Sequence, residues 1–182
     1  RLSEVMDLFS KTATEICCGQ QFDMEFEERM DVTIDEYIEM IRLKTAVLLA
    51  CALKEGGIVA GASSEDCNSL YDFGINIGLA FQLVDDLLDV YGNPETFGKK
   101  IGGDILCNKK TFLFINALQS ERRDDLIYWI NKTEFDAQEK IKAVTEIYDS
   151  LGLKEISEKL ISDYYHKGML FLDKVNVAES NR

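Results

Sequence analysis

The stretch DFGINIGLAFQLVDDLLDVYG, residues 72–92, sets Asp85, Asp86 and Asp89 inside a strongly apolar run. Ionised carboxylates are costly to bury unless something pairs with them. At about 100° per residue, Gly74, Gly78, Gln82, Asp85 and Asp89 share one narrow helical face, with Asp86 to its side and apolar residues on the rest. A solvated helix face can carry an acidic stripe of the same kind. Two features favour a cavity wall. Glycine inside a helix costs about 0.8 to 1 kcal/mol relative to alanine, so two in line imply that something needs room there. The stripe is also narrower than the outer half of an amphipathic surface helix. Within a cavity, carboxylates one turn apart repel by on the order of a few kcal/mol at an effective dielectric near 20, and a divalent cation removes that cost. Oxygen-only ligands favour magnesium, or manganese in its place. Magnesium keeps waters and shares phosphate oxygens, so the constellation asks for a phosphorylated ligand.

The lysines answer that request. Lys44 has Met40, Ile41, Val47 and Leu48 three and four residues away, so its ammonium rises from an apolar helical face beside the Thr45 hydroxyl. It reads as a cation aimed into the cavity, with a snorkelling side chain or an internal ion pair as the other readings. Further on, Lys99, Lys100, Lys109 and Lys110 flank IGGD in an otherwise acidic chain. Paired glycines let backbone amides approach a ligand, which makes this loop a candidate phosphate clamp.

The elements that must position these groups are helical almost throughout. RLSEVMDLFSKTATEICCG carries helical apolar spacing and is expected to end near Gly19. TIDEYIEMIRLKTAVLLACALKEGG opens with a capping box, Thr33 and Glu36, and is expected to close on Gly56 and Gly57. The aspartate helix starts at Ser63 or Ser64 and stops before GNPE, followed by a loop over roughly 92–110. TFLFINALQ, RDDLIYWIN, DAQEKIKAVTEIYDSLG and LKEISEKLISDYYHKGMLFLDKV supply further helices. No strand alternation demands a sheet, so the reading is an all-α bundle forming one domain over 1–182.

Composition narrows the function classes. The chain has 182 residues, one proline, five cysteines and a single histidine, His166, with formal net charge −13. Without CxxC spacing, an ordinary zinc site is not expected, and the cysteines read as reduced and structural. The negative charge argues against nucleic acid or anionic lipid as a partner. No apolar run reaches the roughly 18 residues of a membrane span, and no signal-peptide pattern opens the chain, so a cytoplasmic protein is the expectation. Apolar periodicity starts at residue 2 with no capping residue before it and runs out in VNVAESNR, as in a domain incomplete on its N-terminal side and slightly at its C-terminus.

FQLVDDLLD, with KT upstream, GKKIGGDILCNKKT downstream and GQQFD (19–23) before them, resembles the trans-isoprenyl diphosphate synthases, or polyprenyl synthetases. Four ordered motifs carry the resemblance over essentially the whole chain, as the carboxyl-terminal part of such an enzyme. It implies a helical bundle with a central active-site cavity, and condensation of an allylic prenyl diphosphate with isopentenyl diphosphate. In that family Asp85, Asp86 and Asp89 would match the second aspartate-rich motif, Asp85 being the principal magnesium ligand. Lys44, Lys100 and Lys109 match the lysines that hold the allylic diphosphate; Thr45 and Gln82 match oxygens facing the reacting carbon. A homodimer is also implied, and His166 has no part in the chemistry.

The first aspartate-rich motif and the arginine pair after it do not occur in this sequence; Arg122 and Arg123 sit among surface charges. The 182 residues alone are therefore expected to lack full catalysis. A non-catalytic partner subunit of a prenyl synthase is the alternative from another class. A terpene cyclase, another enzyme class with a helical fold, would need an Asn/Ser/Glu metal triad, which residues 104–140 do not display, and a plain structural helical protein comes third.

Overall fold

A computed structural model describes residues 1–93, 98 and 101–176. Among them the regular structure is helical: α1 Leu2–Glu27, α2 Ile34–Ile41, a π-helical turn Arg42–Ala46, α3 Val47–Ala60, α4 Ser64–Tyr91, α5 Gly103–Leu106, α6 Phe112–Leu118, α7 Arg123–Asn131, α8 Ala137–Ser150 and α9 Leu153–Leu172. The all-α expectation holds. The contacts divide the chain into two compact units.

The first unit takes Arg1–Asp23, Ile38–Gln82 and the chain from Ile161 onward. Its buried residues include Met40, Ile41, Ala46, Val47, Ala50, Cys51, Ile58 and Leu79. α1 does not end at Gly19 as the sequence suggested. A side chain at Gly19 would run into the Lys44 backbone nitrogen, so this glycine marks a helix crossing rather than a stop. The same correction applies to Gly74 and Gly78. A Cβ at either would lie 2.5 Å from Ala50 Cα or Ala46 Cα, so the room they leave is filled by the backbone of a neighbouring helix, not by a ligand cavity. α3 likewise runs past Gly56 and Gly57 and ends at Gly61, whose φ of 83° is the left-handed cap that glycine supplies.

The second unit takes Met24–Tyr37 and Leu83–Leu160. Val90, Ile105, Leu113, Phe114, Ala117, Leu118, Leu126, Val144, Ile147, Tyr148 and Leu153 make its core. Helix starts follow the sequence signals. Glu36 N donates to Thr33 Oγ1 while Thr33 N donates back to Glu36, the reciprocal capping box. Thr111 caps α6 and Asp136 caps α8 through their side-chain oxygens. α5 interrupts the expected long loop because Asp89 caps it from a distance, as described below.

Candidate active site

In the first unit, the π-helical turn carries the KT pair. Val47 N donates to the Arg42 carbonyl, one residue further back than in an α-helix. Met40, Ile41 and Val47 are buried, but the inserted residue shifts the face of everything beyond it, and Leu48 is 55% exposed. Leu48 therefore does not flank Lys44 on an apolar face, as simple α-helical spacing suggested. The Lys44 ammonium lies 2.6 Å from Asp23 Oδ2, an internal ion pair whose members are 35% and 20% exposed. Thr45 Oγ1 donates a 3.0 Å hydrogen bond to Gln82 Oε1. Two of the residues singled out in the sequence, 37 positions apart, are thus in direct contact.

In the second unit, the aspartates take different partners. Asp86 is 3% exposed; its Oδ2 accepts a 2.5 Å hydrogen bond from the Tyr37 hydroxyl, and its Oδ1 lies 3.7 Å from the Lys109 ammonium. Burial, then the Asp86 charge, pushes the Tyr37 phenol well above its ordinary value, so it stays a donor. Asp89 Oδ2 accepts from the Asp104 backbone N–H at 2.9 Å, and the Asp89 carbonyl accepts from Gly102 N, which ties α4 to the start of α5. Gly102 has φ 83°, and a Cβ there would meet Ile141 of α8 at 2.5 Å; only glycine fits both demands. Asp104 Oδ2 lies 3.4 Å from Lys109 Nζ. Burial, with Asp86 and Asp89 adding to it against the pull of Lys109, pushes the Asp104 carboxyl up to about 6.

Asp86, Asp89, Asp104 and Lys109 are therefore assembled in one unit. Lys100 and Lys99 lie outside the described residues. Lys110 is no part of a clamp: it is 8% exposed and donates 2.9 Å to the Glu27 carbonyl at the end of α1. Among the described residues no three carboxylate, thiolate or imidazole groups converge closely enough to cage a metal by themselves. The donor set still fits a hard divalent cation, since it offers carboxylate oxygens, and the Asp86 and Asp89 charges add to burial in raising the Asp104 carboxyl. Among the described residues His166 hydrogen-bonds within its own helix, to Ser162. Sequence reasoning did not place Tyr37 or Asp104 among the site residues. Asp104 had a signal, its position after two glycines and before Lys109; Tyr37, inside a helix, had none.

The family model described as polyprenyl synthetase matches residues 1–148. This chain belongs to the polyprenyl synthetase family. A geranylgeranyl diphosphate synthase of Methanosarcina mazei is 38% identical over 173 residues, which cover 95% of this chain and 52% of that protein. A crystal structure of a geranylgeranyl pyrophosphate synthase superposes with a TM-score of 0.91 at 41% identity, covering 98% of this chain and 56% of the other. A polyprenyl synthase of Caulobacter crescentus, crystallised with calcium and isoprenyl diphosphate, gives a TM-score of 0.84 at 27% identity over 96% of this chain and 54% of its own. As a polyprenyl synthetase sequence, the chain spans about half the length of the curated relatives it matches. No helix among its described residues is long and apolar enough to cross a membrane.

Proposed function

We propose that this polyprenyl synthetase chain serves prenyl transfer: condensation of an allylic prenyl diphosphate with isopentenyl diphosphate to a longer trans-prenyl diphosphate and pyrophosphate. Residues 1–182 act as part of one such catalytic domain, in the cytoplasm and as a homodimer. The observation that carries the reading is the Lys109 ammonium set against Asp86 and Asp104, with Asp89 tied to the Asp104 backbone, in a chain whose relatives are named as prenyl diphosphate synthases.

Asp85, Asp86 and Asp89 are the residues to hold magnesium, Asp85 foremost, and magnesium when bound neutralises charge on the departing diphosphate. Calcium in the Caulobacter crescentus enzyme supports a hard divalent ion in this role. Lys109, Lys100 and Lys44 grip the diphosphate oxygens, and their charge counts most as the C–O bond breaks. Lys44 must leave Asp23 or share it to do so, a modest rearrangement for a part-exposed pair. The Thr45 and Gln82 oxygens, fixed by their mutual hydrogen bond, present the negative ends of their dipoles to the developing allylic cation. No protein base is assigned; the released pyrophosphate takes the proton.

Isothermal titration of this chain with pyrophosphate, with and without magnesium and beside Asp85→Ala, tests the reading. Binding that needs both magnesium and Asp85 supports it. Tight binding that ignores both would overturn it.

A further inference from the structure

The turn that carries Lys109 is braced from behind by a residue with no role in the reading above. Lys140, in the first turn of α8, is only 2% exposed. Its ammonium donates a 2.8 Å hydrogen bond to Asn108 Oδ1 and lies 4.6 Å from the centre of the Phe135 ring. Burial pulls its pKa below that of an ordinary lysine. A buried lysine is costly, and a plain apolar side chain would fill the same space more cheaply. Its hydrogen-bond partner among the described residues is the Asn108 side-chain carbonyl. Asn108 has φ 53°, the left-handed region that asparagine tolerates but does not prefer. The next residue is Lys109, whose ammonium faces Asp104 and Asp86. The neighbour of Lys140, Ile141, packs on Gly102 at the other end of the same turn. Two consecutive residues of α8 therefore brace both ends of 102–108.

We infer that Lys140 is a positioning residue: by tethering Asn108 in its left-handed conformation, it aims Lys109 at the carboxylate wall and hence at a bound diphosphate. The inference rests on the reading of Lys109 given above.

Two variants cut the tether from opposite ends. Lys140→Met keeps the stem and volume but removes the donor; Asn108→Gly removes the acceptor while keeping φ permitted. Amide hydrogen exchange follows Asn108 and Lys109, whose N–H groups bond the Ile105 and Asp104 carbonyls. Titration with pyrophosphate in excess magnesium follows the ligand, and circular dichroism confirms helical content. Each variant should speed exchange at those two amides about tenfold, leave Leu113 and Ile115 unchanged, and weaken pyrophosphate about tenfold. The double variant should be no worse than either single, since both remove one bond. Wild-type exchange in both variants, additive losses, loosening that spreads through α6, or a loosened turn with unchanged affinity would each overturn the inference. Failure of the unmodified chain to bind pyrophosphate, or a Lys109→Met variant that binds normally, counts against the reading of Lys109 instead, and the exchange rates still decide whether the tether exists.

Discussion

The Tyr37 hydroxyl donates a 2.5 Å hydrogen bond to Asp86 Oδ2 across 49 residues of chain, with both side chains almost wholly buried. A helix whose start the sequence marks by its cap thus delivers the donor that makes a buried carboxylate tolerable. Tyr37→Phe keeps the ring and deletes the donor. Urea unfolding should show a loss of about 1 to 3 kcal/mol. Unchanged stability would mean that water or Lys109 replaces the phenol at no cost.

Asp104 makes stability fall with rising pH. Its folded-state pKa, about 6, lies above its ordinary value of 3.8, so between those values the folded chain holds a proton that the unfolded chain has lost. This group's contribution is therefore most favourable below pH 4 and is lost as pH rises through about 6. Asp104→Asn cannot ionise and should flatten that slope in metal-free buffer. At neutral pH it should stabilise by about 1 to 2 kcal/mol, allowing for solvent screening of a side chain that is 24% exposed. Urea midpoints from pH 4 to 7 read it directly.

Two glycine substitutions should move stability in opposite directions. Gly78→Ala sets a Cβ 2.5 Å from Ala46 Cα and 2.7 Å from its Cβ, and backbone cannot step aside cheaply. A loss of about 1 to 3 kcal/mol is expected. Gly56→Ala meets nothing within 4 Å inside α3 and should gain about 0.5 to 1 kcal/mol from helix propensity. Thermal unfolding of the pair separates a crossing glycine from an idle one.

Lys109→Met should weaken pyrophosphate binding about tenfold in excess magnesium, because a charge-assisted contact is lost while the aliphatic stem remains. Calorimetric titration checks this, with circular dichroism confirming that the helices persist. An unchanged affinity would remove Lys109 from the site.

Much of this architecture was legible because helix starts are written locally. Thr33 with Glu36, Ser63 and Asp136 each sit where the chain enters a helix, and a cap needs only residues three positions on. Helix ends were less legible, because glycine carries two opposite meanings. Gly61 does terminate α3, whereas Gly19, Gly74 and Gly78 are places where another backbone comes close. Only the packing partner, tens of residues away, separates the two. The site divided in the same way. Thr45 and Gln82 were singled out and do meet, while Tyr37, Asp104 and Lys140 act through partners that no local pattern announces.

The π-helical turn at Arg42–Ala46 works as a phase shifter. Residues 34–60 look like one amphipathic repeat, yet the extra residue rotates everything beyond it by about 100° relative to an uninterrupted helix. The small residues Ala46 and Ala50 lie against Gly78 and Gly74 only in that shifted phase. Deleting one residue from the turn would restore a regular helix and a cleaner wheel, and would point the wrong stripe at α4. A shorter and locally more ideal sequence would therefore be a poorer one, because the irregularity is what sets Ala46 and Ala50 against the glycines of α4.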